Sequence, residues 1–324
     1  MKRYWEAVVE AYTWEMERDP SIFIAGEDIR MGGVFSTAHG LLEKFGPERV
    51  IDTPISEQAI AGLGIGAAAV GMRPIIDMNN VEFSLVGMDQ IVNQMAKNTY
   101  MFGGRLKLPI LMTMSEGGGR NMAAQHSQCL DVWFCHIAGL KVIMPSNPYD
   151  AKGLLHAAIR ENNPIICIIP KLAVGLRGEV PDEPYTVPIG KAHVTREGRD
   201  ATVIATGSMV PEAIAAADEL GGRGIRVEIV DPRTLSPLDT EMIANSVRKT
   251  HRAVVVHEAV RFCGYGAEVA AQIQEHAFDS LDAPVLRVGA PQVPVPFSPP
   301  LEQAYMPGKA QIVDAVRQLV PVKA

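Results

Sequence analysis

Residues 140–169 read LKVIMPSNPYDAKGLLHAAIRENNPIICII. Two short, largely apolar runs, 140–144 and 165–169, flank a segment with helical apolar spacing at 148–161. Strand, helix and strand in that order make a crossover unit. Strands apolar on both faces belong to a parallel sheet covered by helices on each side. The chain before this stretch repeats the alternation. The spacing predicts a helix over 2–18 that ends at Asp19-Pro20, then a strand at 21–26 closed by Gly26. A helix over 35–45 stops at Gly46-Pro47, and a short strand follows at 50–52. Ser56 is placed to cap another helix. A strand at 73–78, a helix through 84–99 and a strand at 108–114 complete the series.

After residue 175 the composition changes: Gly175, Gly178, Pro181, Pro184, Pro188 and Gly190 fall among charged residues, as in a linker with a small β element. The alternation then restarts, with strands at 201–206, 225–230, 252–257 and 284–288 and helices at 210–220, 239–249 and 264–277. Residues 291–300 hold five prolines and are expected to be extended or looped, and 305–320 to form a last helix. The fold class is therefore α/β with two domains. A parallel-sheet domain spans 1–178, a linker 179–200, and a smaller α/β domain 201–324.

The 324 residues carry a net charge of -7, which argues against a nucleic-acid partner. No apolar run is long enough to span a bilayer, and the N-terminus lacks the pattern of a signal peptide, so a cytoplasmic protein is expected. The four cysteines form no CxxC pair, which points to reduced thiols. The spacing of His126, Cys129, Cys135 and His136 matches no familiar zinc pattern.

One motif misdirects, and two others are missing. Gly62, Gly64, Gly66 and Ala67 match a loose dinucleotide fingerprint, but the residues before them read as helix rather than strand. These glycines lie inside a helix, where each costs about 1 kcal/mol relative to Ala. Close approach of another helix, in a subunit interface or within the chain, would offset that cost. No G-x-S-x-G elbow and no G-x-x-x-x-G-K-[ST] phosphate loop occurs.

A family signal runs through the chain from about residue 4 to about residue 320. It comprises Asp52-Thr-Pro-Ile-Ser-Glu57-Gln, Gly71-Met-Arg73-Pro74, Phe83 with Asp89-Gln90, Tyr100-Met-Phe-Gly103-Gly104 and Ala124-Gln125-His126-Ser127-Gln128. Asp231-Pro232-Arg233 and Pro294-Val-Pro296-Phe-Ser-Pro follow in order. The chain resembles the beta subunits of thiamine-diphosphate-dependent pyruvate, branched-chain 2-oxoacid and acetoin dehydrogenases. The resemblance implies a pyrimidine-binding domain followed by a transketolase C-terminal-type domain. It also implies an assembly of two alpha and two beta chains, a lipoyl acyltransferase core as a further partner, and thiamine diphosphate shared between an alpha and a beta chain. The family's magnesium motif, Gly-Asp-Gly, belongs to the alpha chain and is absent here.

Glu57 matches the family's catalytic glutamate, which shares a proton with the coenzyme's aminopyrimidine. On its own it also reads as a first-turn acid, favourable at a helix N-terminus. His126 matches the histidine near the coenzyme's reactive end, and Phe83 the aromatic that packs on the pyrimidine. Glu27 resembles part of a Gly-Glu-Asp signature near the coenzyme. Backbone carbonyls of Ile110, Ala158, Glu161 and Asn163 match a structural potassium site of some relatives. Asn79-Asn80 and the run 115–120, Ser-Glu-Gly-Gly-Gly-Arg, depart from the family and put the substrate, a small 2-oxoacid or acetoin, in doubt. Competing readings are a split transketolase and a non-catalytic scaffold. The first would want basic groups for a sugar phosphate; joint retention of Glu57, Phe83 and His126 argues against the second.

Overall fold

The computed structural model describes residues 1–320. Two compact units emerge: Met1–Glu116 with Trp133–Ile189, and Gly117–Val132 with Gly190–Ala324. In the first unit the elements that matter are α1 (Tyr4–Arg18), β1 (Ile22–Gly26), β2 (Val50–Asp52), α2 (Glu57–Ala69), β3 (Arg73–Asn80) and β4 (Leu111–Glu116). They continue with β5 (Lys141–Ile143), α3 (Pro148–Arg160) and β6 (Ile165–Pro170). The strands lie in the order β5-β6-β4-β3-β1-β2, all parallel. Register pairs Gly26 with Asp52 on one side and Asp77 on the other. Gly26 is required there, since a Cβ would lie 2.5 Å from the Asp77 carbonyl oxygen.

Helices α1 and α3 cover one face of this sheet. Tyr4, Val8, Tyr12 and Met16 recur at helical spacing on α1 and are fully buried with Leu154, Leu155 and Ile159 of α3. Asn147 caps α3, accepting the N–H of Asp150, and Pro148 supplies the fixed φ of its first turn.

The second unit contains β7 (His193–Arg196), β8 (Ala201–Ala205), α4 (Met209–Gly221), β9 (Val227–Asp231), α5 (Thr240–Thr250), β10 (Ala253–Val260), α6 (Tyr265–Ala277) and β11 (Leu286–Ala290). It ends with α7 (Pro299–Tyr305) and α8 (Lys309–Leu319). Its five strands lie in the order β11-β10-β8-β9-β7, parallel except for β7. Helices α4 and α8 bury Val210, Ala213, Leu220, Ile312 and Val316 against them.

Three expectations need correction. The helix expected over 35–45 is confined to Leu41–Phe45, because Ser36 (φ 61°) and Gly40 (φ 76°) take left-handed backbone that a right-handed helix cannot continue through. The helix through 84–99 is three short pieces: a 3₁₀ turn Phe83–Gly87, a π turn Gln90–Met95 and an α turn Asn98–Met101. Apolar periodicity over one or two turns does not separate these hydrogen-bond patterns. The expected loop holds over 291–298 and the last helix forms as α8 but starts at Lys309; the unexpected element is α7 at Pro299–Tyr305. Pro299 starts α7 from its first turn, where no N–H is needed, and Pro307 separates the two helices.

Candidate active site

The carboxyl ends of β1, β3 and β4 are where an open parallel sheet offers its ligand loops. Glu27 follows β1 directly. Glu57 is the first residue of α2, at the positive end of the helix dipole. Burial raises the Glu27 carboxyl above the ordinary range, and the negative charges of Glu57, Asp28 and Asp77 push it further the same way. Glu27 and Glu57 therefore sit within electrostatic reach of each other.

Glu57 is half-buried and lines an open cleft of about 620 Å³ with Ile55, Ser56, Gly62, Val86 and Gln90. That is room for an aromatic ring and its substituents. The backbone of Gly87 approaches the start of α2 so closely that a Cβ would lie 3.1 Å from the Glu57 carbonyl oxygen. Half-buried Phe83 opens the same 3₁₀ turn. An apolar wall and a helix-terminal carboxyl fit a flat heteroaromatic base with a ring nitrogen, as in an aminopyrimidine.

Behind Glu27 lies an enclosed, water-sized cavity lined by Thr37, Asp77, Asn79 and Ser115. Asp77 had no role in the sequence reading. Burial pushes its carboxyl up to about 6, against the Asn79 N–H it accepts at 2.7 Å. The signal was present: a lone acid within the apolar run 74–78. Asn79, at φ 62°, turns the strand end, and Ser115 bonds its carbonyl at 2.7 Å.

His126 closes the 3₁₀ turn Ala124–His126 and is half-buried. It belongs to the segment Gly117–Val132 of the second unit, whereas Glu27, Glu57 and Phe83 belong to the first. The carbonyls matched to a cation are partly engaged. Ile110 accepts from the Ile165 N–H at 2.9 Å and Ala158 from the Glu161 N–H at 3.2 Å. The Arg73 guanidinium donates to the Glu161 carbonyl at 2.6 Å and to that of Ile159 at 2.7 Å. Each carbonyl keeps a second lone pair.

The transketolase pyrimidine-binding domain family matches residues 1–176, and the transketolase C-terminal domain family matches residues 190–312. The chain is 47% identical over 323 residues to the acetoin:2,6-dichlorophenolindophenol oxidoreductase subunit beta of Cupriavidus necator, covering 96% of this chain and 95% of that one. It is 43% identical over 314 residues to the pyruvate dehydrogenase E1 component subunit beta of Rhizobium meliloti, covering 96% of this chain and 68% of that one. A solved structure described as a split gene transketolase, inactive beta4 tetramer, shares the fold with a TM-score of 0.79 over 98% of each chain, at 23% identity. With both domains matched in order and such identity over nearly the whole length, the chain belongs to the family of beta subunits of thiamine-diphosphate-dependent 2-oxoacid and acetoin dehydrogenases.

Proposed function

We propose that this chain supplies the pyrimidine-side half of a thiamine diphosphate site, completed by an alpha subunit that holds the diphosphate and magnesium. The observation that carries the reading is Glu57 at the start of α2, on a cleft shared with Ile55 and Val86, with Glu27 within electrostatic reach. The coenzyme, when bound, supplies a carbon nucleophile for the substrate carbonyl, chemistry that no side chain provides. Glu57 would hold a proton against the pyrimidine ring nitrogen and so favour the basic form of the coenzyme's amino group. Phe83 would pack on the ring, and Glu27 would keep negative charge close to Glu57. His126 would orient substrate or move a proton during acyl transfer to a lipoyl group.

The substrate class is acetoin or a small 2-oxoacid, supported by the names of the relatives. The partners are an alpha chain, in a tetramer of two alpha and two beta chains, and a lipoyl acyltransferase. A potassium ion on the carbonyls of Ile110, Ala158, Glu161 and Asn163 would be structural only, beside the positive charge Arg73 already brings there. The cytoplasm is the proposed compartment, in keeping with a sequence whose four cysteines form no CxxC pair. No helix among the described residues is long and apolar enough to cross a membrane.

The test is proton exchange at the coenzyme's thiazolium carbon, followed by NMR in the assembled enzyme. Glu57→Gln should abolish fast exchange while weakening coenzyme binding far less, because an amide cannot share that proton. Near-normal exchange in the variant would sink the reading.

A further inference from the structure

The run Gly117-Gly118-Gly119-Arg120-Asn121 has no part in the function described above. Alternate residues of this run and its continuation, Gly117, Gly119, Asn121 and Ala123, take positive φ of 99°, 81°, 54° and 60°. Asn121 and Ala123 are not glycine, and Ala123, with ψ -172°, stands in a region nearly reserved for glycine. Ala123 directly precedes the turn Ala124–His126. A loop of this kind keeps its shape only where its surroundings over-determine it.

Two carboxylates of the same unit do so. Glu258, on β10, accepts the Gly118 N–H through Oε1 at 2.6 Å, and its Oε2 accepts the Ser208 hydroxyl. Glu302, on α7 and 3% exposed, accepts the Asn121 N–H through Oε2 at 3.0 Å. Bonds from backbone amides to ionised acceptors are about twice as strong as neutral ones. The same carboxylates account for the glycines. A Cβ on Gly117 would collide with the Glu258 carboxylate. One on Gly118 would stand 3.0 Å from the Met306 sulfur and 3.3 Å from Glu302 Oε1. The glycine run is the shape complement of two buried or half-buried acids.

We propose that Glu258 and Glu302 are positioning residues that latch the loop leading to His126, and so fix where its imidazole stands. Neither carboxylate is assigned contact with reacting atoms. The inference rests on the reading of His126 as a catalytic group.

The test uses the complete enzyme with its alpha partner, and reads kcat, KM and hydrogen–deuterium exchange of the 117–132 peptide. Glu302→Ala should lower kcat by about 100-fold, the scale of a displaced catalytic group, with KM nearly unchanged. Exchange should quicken in 117–132. Glu302→Gln, which retains an acceptor oxygen for the Asn121 N–H, should restore most of the activity. Gly117→Ala keeps both acids but drives a Cβ into the Glu258 carboxylate at a φ of 99°, so it should reproduce the kcat loss even if Glu302→Ala folds poorly. In a His126→Ala background Glu302→Ala should cost nothing further, since both act through one group. The proposal is overturned if Glu302→Ala loses no more kcat than Ile229→Val, a core variant on β9, once their Tm losses are compared. It is equally overturned by a full additional loss in the His126→Ala background. Normal turnover by His126→Ala alone is a different result: it removes the reading of His126 itself.

Discussion

At the scale of single residues, burial suppresses the charge of one histidine. His257 is 1% exposed, and the backbones of Gly264, Gly266 and Gly289 make room for its ring, where added Cβ atoms would lie 2.7, 2.7 and 3.1 Å from it. Burial, and then the positive charge of Arg287, lower its pKa to about 4. The unfolded chain binds a proton near pH 6.5 that the folded chain refuses until about pH 4, so stability falls as pH drops through that window. Its share of that loss is on the order of 3 kcal/mol. Urea unfolding at pH 7 and pH 4 should show a smaller difference in His257→Gln than in the parent chain; equal differences would contradict the assignment. His126 is half-buried in its turn. His126→Ala should leave the fold and assembly intact, yet reduce turnover by about 100-fold or more if the ring moves a proton. Steady-state kinetics with both pyruvate and acetoin check this.

At the scale of elements, α2 is the informative helix. Its glycines have different reasons. Gly64 faces the sheet, where a Cβ would lie 2.5 Å from Ile76 Cγ1 on β3. The expected approach of a helix is thus, at this position, the approach of a strand. Gly66 meets nothing within 4 Å, and nearby Leu63 and Val70 are 42% and 82% exposed. Gly64→Ala should therefore destabilise the chain, because overpacking costs roughly 1–3 kcal/mol. Gly66→Ala should stabilise the isolated chain by about 1 kcal/mol through helix propensity. If the outer face packs on a partner, Gly66→Leu should weaken assembly without unfolding the chain. Thermal unfolding and sedimentation separate these results. Most strands and long helices were legible because their apolar pattern extends over several residues: β6 and α3 fall within two residues of their expected ends. The pieces at 35–45 and 83–101 were not, since left-handed Ser36 and the 3₁₀ and π turns leave no mark in apolar spacing.

At the scale of the whole molecule, the candidate site was legible where motifs carried it and hidden where only tertiary packing reveals it. Glu57 and His126 stand in matching motifs; Glu258 and Glu302 are acids whose partners lie far away in sequence. The central claim is that the chain contributes half of a coenzyme site. Glu57 and Asp77 lie within electrostatic reach of Glu27, and the Gly-Asp-Gly that would hold magnesium diphosphate is absent from its sequence. Titration calorimetry of thiamine diphosphate with magnesium, into the chain alone and into the chain assembled with an alpha partner bearing that motif, tests this directly. Weak or undetectable binding by the chain alone, and tight binding only in the assembly, is the predicted result. Binding by the isolated chain at about 1 μM, roughly -8 kcal/mol, would contradict it.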